Sequence, residues 1–299
     1  MLQTAPSLTT REEAFRYCER LARTHYENFT VGSWLLPKDL KQHVYNVYAY
    51  CRSVDDLGDE AEGDRLDLLD RWEEDLRRCY DGVPRHPALL ALQATIKQFD
   101  IPLQPFLKLA EANRMDQRAK RHPTYSDLLH YCDHSANPVG HLVLYLFGYR
   151  DEGRQKLADA TCTALQLTNF WQDVNRDMAM GRIYIPLEDM ERYGYSEADL
   201  EERRFNESFT RLMAFEVQRA RALFREGLKL VGLVGDTLKV DLELFSLGGM
   251  KVLDAIEKNG YDVLSHRPTI SRLDKVKLLV PVLIKHRWRA LTDRRNSRR

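Results

Sequence analysis

Apolar residues recur every three or four positions along most of the chain, which is the spacing of one face of an α-helix. Residues 10–27 show this first, with Phe15, Cys18, Leu21 and Ala22 at helical spacing. Clear alternation of apolar and polar residues, as in a half-buried strand, does not appear. The pattern therefore predicts an all-α protein.

Glycine and proline divide this pattern into a series of predicted helices. Their approximate ranges are 10–27, 37–58, 64–81, 86–99, 103–119, 124–147, 152–178, 207–231, 235–258 and 271–291. Thr10 and Glu13 match a capping box at the start of the first helix. Asn137-Pro138 and Pro281 fall inside predicted helices, where each is consistent with a kink. Gly181–Pro186 is the clearest extended loop.

Composition narrows the class of protein. The chain has 299 residues, with 45 Lys and Arg against 45 Asp and Glu, so its formal net charge is zero. A global basic field for nucleic acid is therefore excluded, and we expect no nucleic-acid partner. No low-complexity linker or internal repeat interrupts the helices, so we expect one domain spanning residues 1–299, with a basic tail at about 285–299.

Cysteine usage and the termini predict a cytoplasmic protein. The five cysteines are scattered and form no C-x-x-C pair, as is typical of reduced thiols. Residues 1–11 lack a signal-peptide pattern. Residues 285–299 carry seven Lys and Arg against one acid after an apolar run. That tail favours peripheral contact with anionic lipid at the inner face of the membrane, although a solvated tail is the simpler interpretation.

Two acidic pairs carry the candidate chemistry. Asp55 and Asp59 lie four residues apart in the second predicted helix, and Asp173 and Asp177 repeat that spacing. Like charges one turn apart destabilise a helix, so we expect a cation to offset the repulsion. Mg²⁺ takes oxygen ligands and is typically held by one or two carboxylates plus phosphate oxygens. The pairs therefore predict a Mg²⁺ cluster around a diphosphate, with surface ion pairs as the alternative.

Polar neighbours strengthen this prediction. Arg52 lies one turn before Asp56 and has the geometry for a bidentate phosphate contact. Gln166, Asn169, Asp173 and Asp177 follow 3,4,4 spacing, which places them on one stripe of a regular helix. Motifs of nicotinamide, P-loop, zinc-protease and serine-hydrolase sites are missing, so the sequence gives no support to those classes.

Three segments resemble the squalene/phytoene synthase family of head-to-head prenyl synthases. Tyr48–Glu60 reads YAYCRSVDDLGDE, similar to the family's Y-A-x-C-R-x-x-D-D-x-x-D. Gln166–Asp177, followed by Arg182, Tyr184 and Pro186, resembles Q-L-x-N-x-x-x-D-x-x-x-D and R-x-Y-x-P. Tyr131–Gly140 resembles Y-C-x-x-V-A-G-x-V-G. The resemblance implies an isoprenoid-synthase (terpenoid synthase) helical bundle with a central cavity.

The resemblance also implies roles for individual residues. The implied Mg²⁺ ligands are Asp55, Asp59, Asn169, Asp173 and Asp177. The two acidic pairs, together with Arg52 and Tyr131, are the implied catalytic residues. The implied substrate-binding residues are Phe29, Tyr48, Asp56, Asn137, Gln166, Arg182 and Tyr184.

Two departures from the family pattern indicate a branch. Condensing members carry S-K-S-F before L-L-P, whereas this chain has Glu27-Asn28-Phe29, a charge reversal that should weaken binding of a second diphosphate. The V-A-G-x-V-G segment is here Ser135–Gly140, SANPVG. Both features resemble the hopanoid-pathway hydroxysqualene synthases, which convert presqualene diphosphate to hydroxysqualene by ionisation, cation rearrangement and water quench, without NADPH.

The expectation is therefore a Mg²⁺-dependent carbon–oxygen lyase acting on presqualene diphosphate, with no NADPH requirement. A presqualene diphosphate synthase and a hydroxysqualene reductase are the expected pathway neighbours. The alternative within the family is a condensing squalene or phytoene synthase that joins two farnesyl or geranylgeranyl diphosphates. The alternative from another class is a non-catalytic assembly subunit of this fold. Asn137, or a group near Asp133-His134, is the candidate for positioning the quenching water.

Overall fold

The computed structural model describes residues 10–24 and 37–271, and beyond them residues 274, 277–282, 284 and 286. This part of the chain is helical and forms no β-strand, although an isolated parallel bridge joins Arg121 to Ile183. The all-α prediction is therefore confirmed. No helix in the described part of the chain is both long enough and apolar enough to span a bilayer.

The helices follow one another in chain order with short connections. They are α1 (Arg11–Thr24), α2 (Lys38–Asp59), α3 (Arg65–Asp81), α4 (Pro87–Phe99), α5 (Gln104–Arg118), α6 (Tyr125–Ser135), α7 (Asn137–Leu146), α8 (Glu152–Ala179), α9 (Leu187–Arg192), α10 (Glu197–Glu201), α11 (Glu207–Gly227) and α12 (Asp236–Lys258). A 3₁₀ helix, Leu228–Leu233, connects α11 to α12. The described residues from 277 onward are helical too, as predicted for 271–291.

Capping explains several of these boundaries. Thr10 and Glu13 form the predicted capping box, each backbone N–H donating to the other side chain at 3.3 Å. Asp64 caps α3 by accepting from two backbone N–H groups of its first turn. Such caps satisfy donors that the helix itself leaves without partners.

Three predicted boundaries differ from the structure. The predicted helix 124–147 is two helices, because Pro138 lacks an N–H and fits only the first turn of a new helix. Sequence analysis also missed α9 and α10, which are only six and five residues long. The last turns predicted for 207–231 are the beginning of the 3₁₀ helix rather than part of α11.

The chain divides into two compact units. Unit 1 takes the described residues up to Lys120 together with His130–Gln155, and unit 2 takes Arg121–Leu129 together with the described residues from Lys156 onward. The expectation of one domain over residues 1–299 stays a prediction. All five cysteines lie in the described part of the chain and none forms a disulfide, as expected for reduced thiols.

Unit 1 packs α2 against α1, α4 and α5. Its core includes Tyr50, Leu76, Leu89 and Phe106, all fully buried. The Tyr50 hydroxyl donates to the Phe106 carbonyl at 2.7 Å, which ties α2 to α5 inside the core. This packing fixes α2, the helix that carries the first acidic pair.

Unit 2 brings α8, α11 and α12 together. A Cβ at Gly249 of α12 would lie 2.3 Å from the Phe224 ring of α11 and 3.0 Å from the side chain of Leu165 on α8. Only glycine allows these three helices to approach so closely, because real Cβ contacts are longer. The packing fixes α8, which carries the second acidic pair.

Candidate functional site

The first acidic pair lies in the last turns of α2. Asp55, Asp56 and Asp59 are followed directly by Glu60, and the last turn of this helix contains no basic residue. A helix C-terminus carries a partial negative charge, so four acidic side chains there repel both one another and the helix dipole. The arrangement is electrostatically unfavourable unless cations balance it.

Neighbouring side chains satisfy the free carbonyls at this helix end. Gln117 of α5 donates to the Gly58 carbonyl at 2.9 Å, and the Arg65 guanidinium donates to the carbonyls of Asp59 and Ala61, each at 3.0 Å. The last carbonyls of a helix have no N–H partner within the helix, and these contacts supply one. They hold the acidic segment in a defined position.

Asp55 is reachable by solvent even though protein surrounds most of its side chain. Its Oδ1 atom accepts a hydrogen bond from Asn113 of α5 at 3.3 Å. Desolvation by the surrounding protein and the neighbouring Asp59 carboxylate together raise the pKa of the Asp55 carboxyl to about 6, although the Asn113 hydrogen bond lowers it. A nearby cation would oppose this shift, since opposite charge favours the ionised form.

Arg52 is held by two carboxylates. Its Nη2 atom lies 2.6 Å from Asp56 Oδ1 and 2.7 Å from Glu60 Oε1. Its Nε atom is buried and has no hydrogen-bond partner among the described residues. A buried donor left without a partner is costly, and an anion such as a diphosphate oxygen would satisfy it. Sequence analysis placed Arg52 near Asp56 correctly and did not foresee Glu60.

Tyr131 and Asn137 flank the break between α6 and α7. The Tyr131 hydroxyl is buried and donates to Asp116 Oδ2 of α5 at 2.8 Å. Asn137 begins α7 and is 7 % exposed. Ser135, the last residue of α6, has a buried hydroxyl with no partner among the described residues. Polar groups on both sides of the break, from Tyr131, Ser135 and Asn137, are therefore buried.

The second acidic pair lies at a kink in α8. Asp173 has non-helical backbone angles, φ −108° and ψ 16°, inside a helix of 28 residues. Gln166 and Asn169 precede this kink and Asp177 follows it, so the regular helix assumed by the single-stripe prediction is interrupted at Asp173. Asn169 is exposed, whereas Gln166, Asp173 and Asp177 are partly buried.

Arg267 forms a bidentate ion pair with Asp173. Its Nε atom lies 2.5 Å from Oδ1, and its Nη2 atom lies 2.8 Å from Oδ2. Gln172 and Asn175 bind the same segment by donating to the carbonyls of Pro268 and Leu264. Sequence analysis gave Arg267 no role. A separation of 94 residues leaves no spacing signal for this contact.

Asp177, Arg182 and Tyr184 come together beside the loop after α8. The Arg182 N–H donates to the Asp177 carbonyl at 2.8 Å, and all three residues line a small pocket in unit 2. Tyr184 stacks on Phe170 with ring centroids 3.8 Å apart and on His122 with centroids 5.5 Å apart. The aromatic stack explains why Tyr184 is buried in a loop.

The structure thus groups the predicted residues within each unit. Unit 1 carries Tyr48, Arg52, Asp55, Asp56, Asp59, Tyr131 and Asn137. Unit 2 carries Gln166, Asn169, Asp173, Asp177, Arg182 and Tyr184. Phe29, Glu27 and the Leu35-Leu36 segment lie outside the described residues. The roles assigned to all these residues stay predictions.

The donor set fits a divalent cation that needs substrate oxygens. Within the described part of the chain, no three acidic, histidine or cysteine side chains converge as a ready-made metal site. Mg²⁺ commonly uses one or two carboxylates and takes its remaining ligands from phosphate and water. The accessible Asp55 carboxylate, at the negative end of a helix and with a raised pKa, suits such a cation.

Comparison of the sequence with known proteins finds a matching family model and similar full-length relatives. The family model described as squalene/phytoene synthase matches residues 6–274. Phytoene synthase from Arthrospira platensis is 31% identical over 285 residues, covering 90% of this chain and 92% of the relative. Phytoene synthase from Thermus thermophilus is 32% identical over 275 residues, covering 90% of this chain and 92% of the relative.

Solved structures agree with the family model. Squalene synthase HpnC from Alicyclobacillus acidocaldarius matches with a TM-score of 0.82 and 50% identity, covering 84% of this chain and 95% of the solved chain. A dehydrosqualene synthase solved in complex with ligand matches with a TM-score of 0.84 and 29% identity, covering 92% of this chain and 97% of the solved chain. The fold is therefore that of the terpenoid synthases. The chain belongs to the squalene/phytoene synthase family, whose members act on prenyl diphosphates.

Proposed function

We propose that this protein converts presqualene diphosphate to hydroxysqualene in a Mg²⁺-dependent reaction of hopanoid biosynthesis. The observation that carries the proposal is the difference in similarity among relatives. Identity is 50% with a solved squalene synthase, against 31% and 32% with two phytoene synthases. This difference favours a squalene-type C30 reaction. The Glu27 substitution and the buried Asn137 support water quench of presqualene diphosphate over condensation.

The proposed reaction balances without a reductant. The carbon–oxygen bond to the diphosphate breaks, and diphosphate leaves with the electron pair. The cyclopropylcarbinyl cation rearranges, a water oxygen bonds to carbon, and its proton passes to the released diphosphate or to solvent. Because no hydride is consumed, NADPH is not required.

Charged groups of the chain would stabilise the departing diphosphate. Bound Mg²⁺ would neutralise the negative charge that develops on it. Asp55, Asp59, Asn169, Asp173 and Asp177 are the proposed ligands of that metal. Arg52 carries a buried Nε donor suited to a phosphate oxygen, and the Arg182 guanidinium would add a second contact. Such donors act most strongly where water is excluded.

Aromatic and polar groups would control the cation. Tyr131 is oriented by its hydrogen bond to Asp116, and Tyr184 by its stack on Phe170. Ring faces stabilise positive charge. Tyr48, Phe29 and Gln166 complete the proposed substrate contacts, and Asn137 is the proposed group that orients the quenching water.

A condensing squalene or phytoene synthase is the second candidate. The full-length similarity to phytoene synthases and to a dehydrosqualene synthase favours it. A non-catalytic assembly subunit is a third candidate, disfavoured because both acidic motifs keep every aspartate.

The proposal extends to location and partners. We place the protein in the cytoplasm, with its basic tail in peripheral contact with the inner face of the membrane, where a C30 product would partition. A presqualene diphosphate synthase would supply its substrate and a hydroxysqualene reductase would consume its product.

The test is an incubation with Mg²⁺ and presqualene diphosphate, and separately with farnesyl or geranylgeranyl diphosphate, all without NADPH. Products are identified by mass spectrometry. The expected result is hydroxysqualene from presqualene diphosphate and no product from the shorter substrates. Presqualene diphosphate or phytoene formed from the shorter substrates would establish a condensing enzyme instead. No turnover of any substrate would favour the assembly subunit.

A further inference from the structure

Asn113 of α5 and Gly58 of α2 fit together at the acidic end of α2. A Cβ at Gly58 would lie 2.1 Å from Asn113 Oδ1 and 2.9 Å from its Cγ, so the contact exists only because residue 58 is glycine. Asn113 is 8 % exposed and Gly58 is buried. The family pattern D-D-x-x-D leaves residue 58 unspecified, so sequence analysis gave it no role.

The amide nitrogen of Asn113 makes two hydrogen bonds. Its Nδ2 atom donates to the Leu109 carbonyl at 3.1 Å and to Asp55 Oδ1 at 3.3 Å. The first bond fixes the amide relative to its own helix, and the second bond orients the Asp55 carboxylate. Engaging Oδ1 in this way leaves Oδ2 for another ligand.

Gln117, one turn later on α5, reinforces the same contact. Its Nε2 atom donates to the Gly58 carbonyl at 2.9 Å. Two amide side chains of α5, from Asn113 and Gln117, therefore contact α2 at Gly58. The Asp55 carboxylate itself is therefore bonded by a neutral amide, which adds no positive charge, whereas the arginines at this helix end bind Asp56, Glu60 and backbone carbonyls.

We propose that Asn113, held against Gly58, is a positioning residue that orients the Asp55 carboxylate for a divalent cation. The inference rests on the proposed Mg²⁺-dependent function. Partners that orient a metal-ligating side chain typically change metal affinity by 10- to 100-fold when removed. A purely structural asparagine would change stability without changing metal affinity.

Asn46 provides a matched control on the same helix as Asp55. It is fully buried, and its Nδ2 atom donates to the Ala91 carbonyl at 3.1 Å and to Thr95 Oγ1 at 3.0 Å. Asn113→Leu and Asn46→Leu remove the same amide from equally enclosed positions in unit 1. Only Asn113 contacts an aspartate of the acidic motif.

The experiment measures Mn²⁺ binding to the purified full chain from the electron paramagnetic resonance signal of the free ion. We expect Asn113→Leu to weaken Mn²⁺ binding about 10-fold or more relative to wild type. Asn46→Leu should lower the thermal midpoint while leaving Mn²⁺ affinity unchanged. Circular dichroism identifies any variant that does not fold.

A double-mutant cycle at Gly58 tests the same contact without the Asn46 control. Gly58→Ala should displace Asn113 and weaken Mn²⁺ binding as Asn113→Ala does. The double variant should bind no more weakly than Asn113→Ala alone, since the contact can be lost only once.

The outcomes separate this inference from the proposed function. If wild type binds no Mn²⁺ either alone or with inorganic pyrophosphate present, the metal-dependent function itself is wrong. If wild type binds and the Asn113 variants bind equally well, the positioning role is wrong and the proposed function stands. Equal loss in Asn113→Leu and Asn46→Leu would reduce Asn113 to a structural residue.

Discussion

The two acidic motifs share one spacing and differ in almost everything else. Asp55 and Asp59 end a helix whose terminal carbonyls are bonded by Gln117 and Arg65. Asp173 lies inside a much longer helix, at a kink, and is paired with Arg267. Asp55 itself is bound by a neutral amide, whereas Asp173 is bound by an arginine.

This difference indicates how each motif would respond to a metal. At Asp55, a cation would meet a carboxylate whose hydrogen-bond partner is uncharged. At Asp173, a cation would share a carboxylate that a guanidinium already orients through two contacts. A four-residue spacing in sequence therefore predicts neighbouring carboxylates but not their electrostatic surroundings.

Removing one carboxylate from each motif should have the largest effect. We expect Asp55→Asn and Asp173→Asn each to lower kcat/KM about 10²- to 10³-fold, since each removes a proposed ligand of the metal that would neutralise the diphosphate. Steady-state assays over a Mg²⁺ titration measure this. Asp67→Asn is the control, because the exposed Asp67 carboxylate pairs with Arg71 on the same helix, outside both motifs. A collapse in one variant alone would show that the motifs are not equivalent.

Asp241 of α12 extends the comparison to a carboxylate with no compensation. It is 5 % exposed, and its Oδ1 atom has no hydrogen-bond partner in the described part of the chain. Burial raises its pKa to about 7. Because the folded-state pKa is raised, the free energy of unfolding should fall as pH rises from about 4 to about 7.

Asp241→Asn should remove that dependence. We expect the variant to be more stable than wild type by about 2 to 4 kcal/mol at pH 8 and nearly equal to it at pH 4. Urea unfolding at the two pH values provides the measurement. Asp189 is equally buried but pairs with Arg219 at 2.7 Å, so Asp189→Asn should be destabilised instead. Stabilisation of both variants would contradict the argument.

Loss of the guanidinium at Asp173 should have an intermediate effect. We expect Arg267→Gln to lower kcat/KM about 10-fold, because Asp173 loses a bidentate partner next to the proposed diphosphate site. Arg176→Gln is the matched control, since Arg176 is 69 % exposed and lies 3.6 Å from the same carboxylate. Equal losses in the two variants would mean that only local charge matters.

Neutralising Glu60 should have the smallest effect. Glu60→Gln removes one of two carboxylates that hold Arg52, and Glu60 itself is largely exposed. We expect affinity for inorganic pyrophosphate, measured by calorimetry, to rise about threefold at low salt and less at high salt. An unchanged affinity would mean that Asp56 alone controls Arg52.

Prediction of the fold succeeded where local signals are strong. Hydrophobic periodicity, together with glycine and proline at the boundaries, predicted α3, α4 and α8 nearly to the residue. Long amphipathic helices repeat their apolar positions over several turns, so their pattern is easy to detect. It failed at α9 and α10, which are too short to show periodicity. The sequence indicated an interruption at Asn137-Pro138, but it did not show that two separate helices meet there rather than one kinked helix.

Prediction of the candidate site followed the same limit. Motif spacing identified Asp55, Asp59, Asp173 and Asp177, since those residues are neighbours along one helix each. Asn113 and Arg267 were missed because they reach the motifs from 58 and 94 residues away. Such contacts depend on how helices pack, which no local window contains.

The sequence by itself determined that the protein is helical, that it carries two acidic motifs, and which family those motifs resemble. Helical periodicity and residue spacing depend only on residues that are close along the chain, so they can be identified without the three-dimensional structure. Only the tertiary structure decided which partners compensate each carboxylate: an amide against Gly58 for Asp55, an arginine for Asp173, and none in the described residues for Asp241 Oδ1. These pairings depend on how the helices pack. Burial raises the free energy of an ionised carboxylate, and a hydrogen-bond or ion-pair partner brought close by packing lowers it.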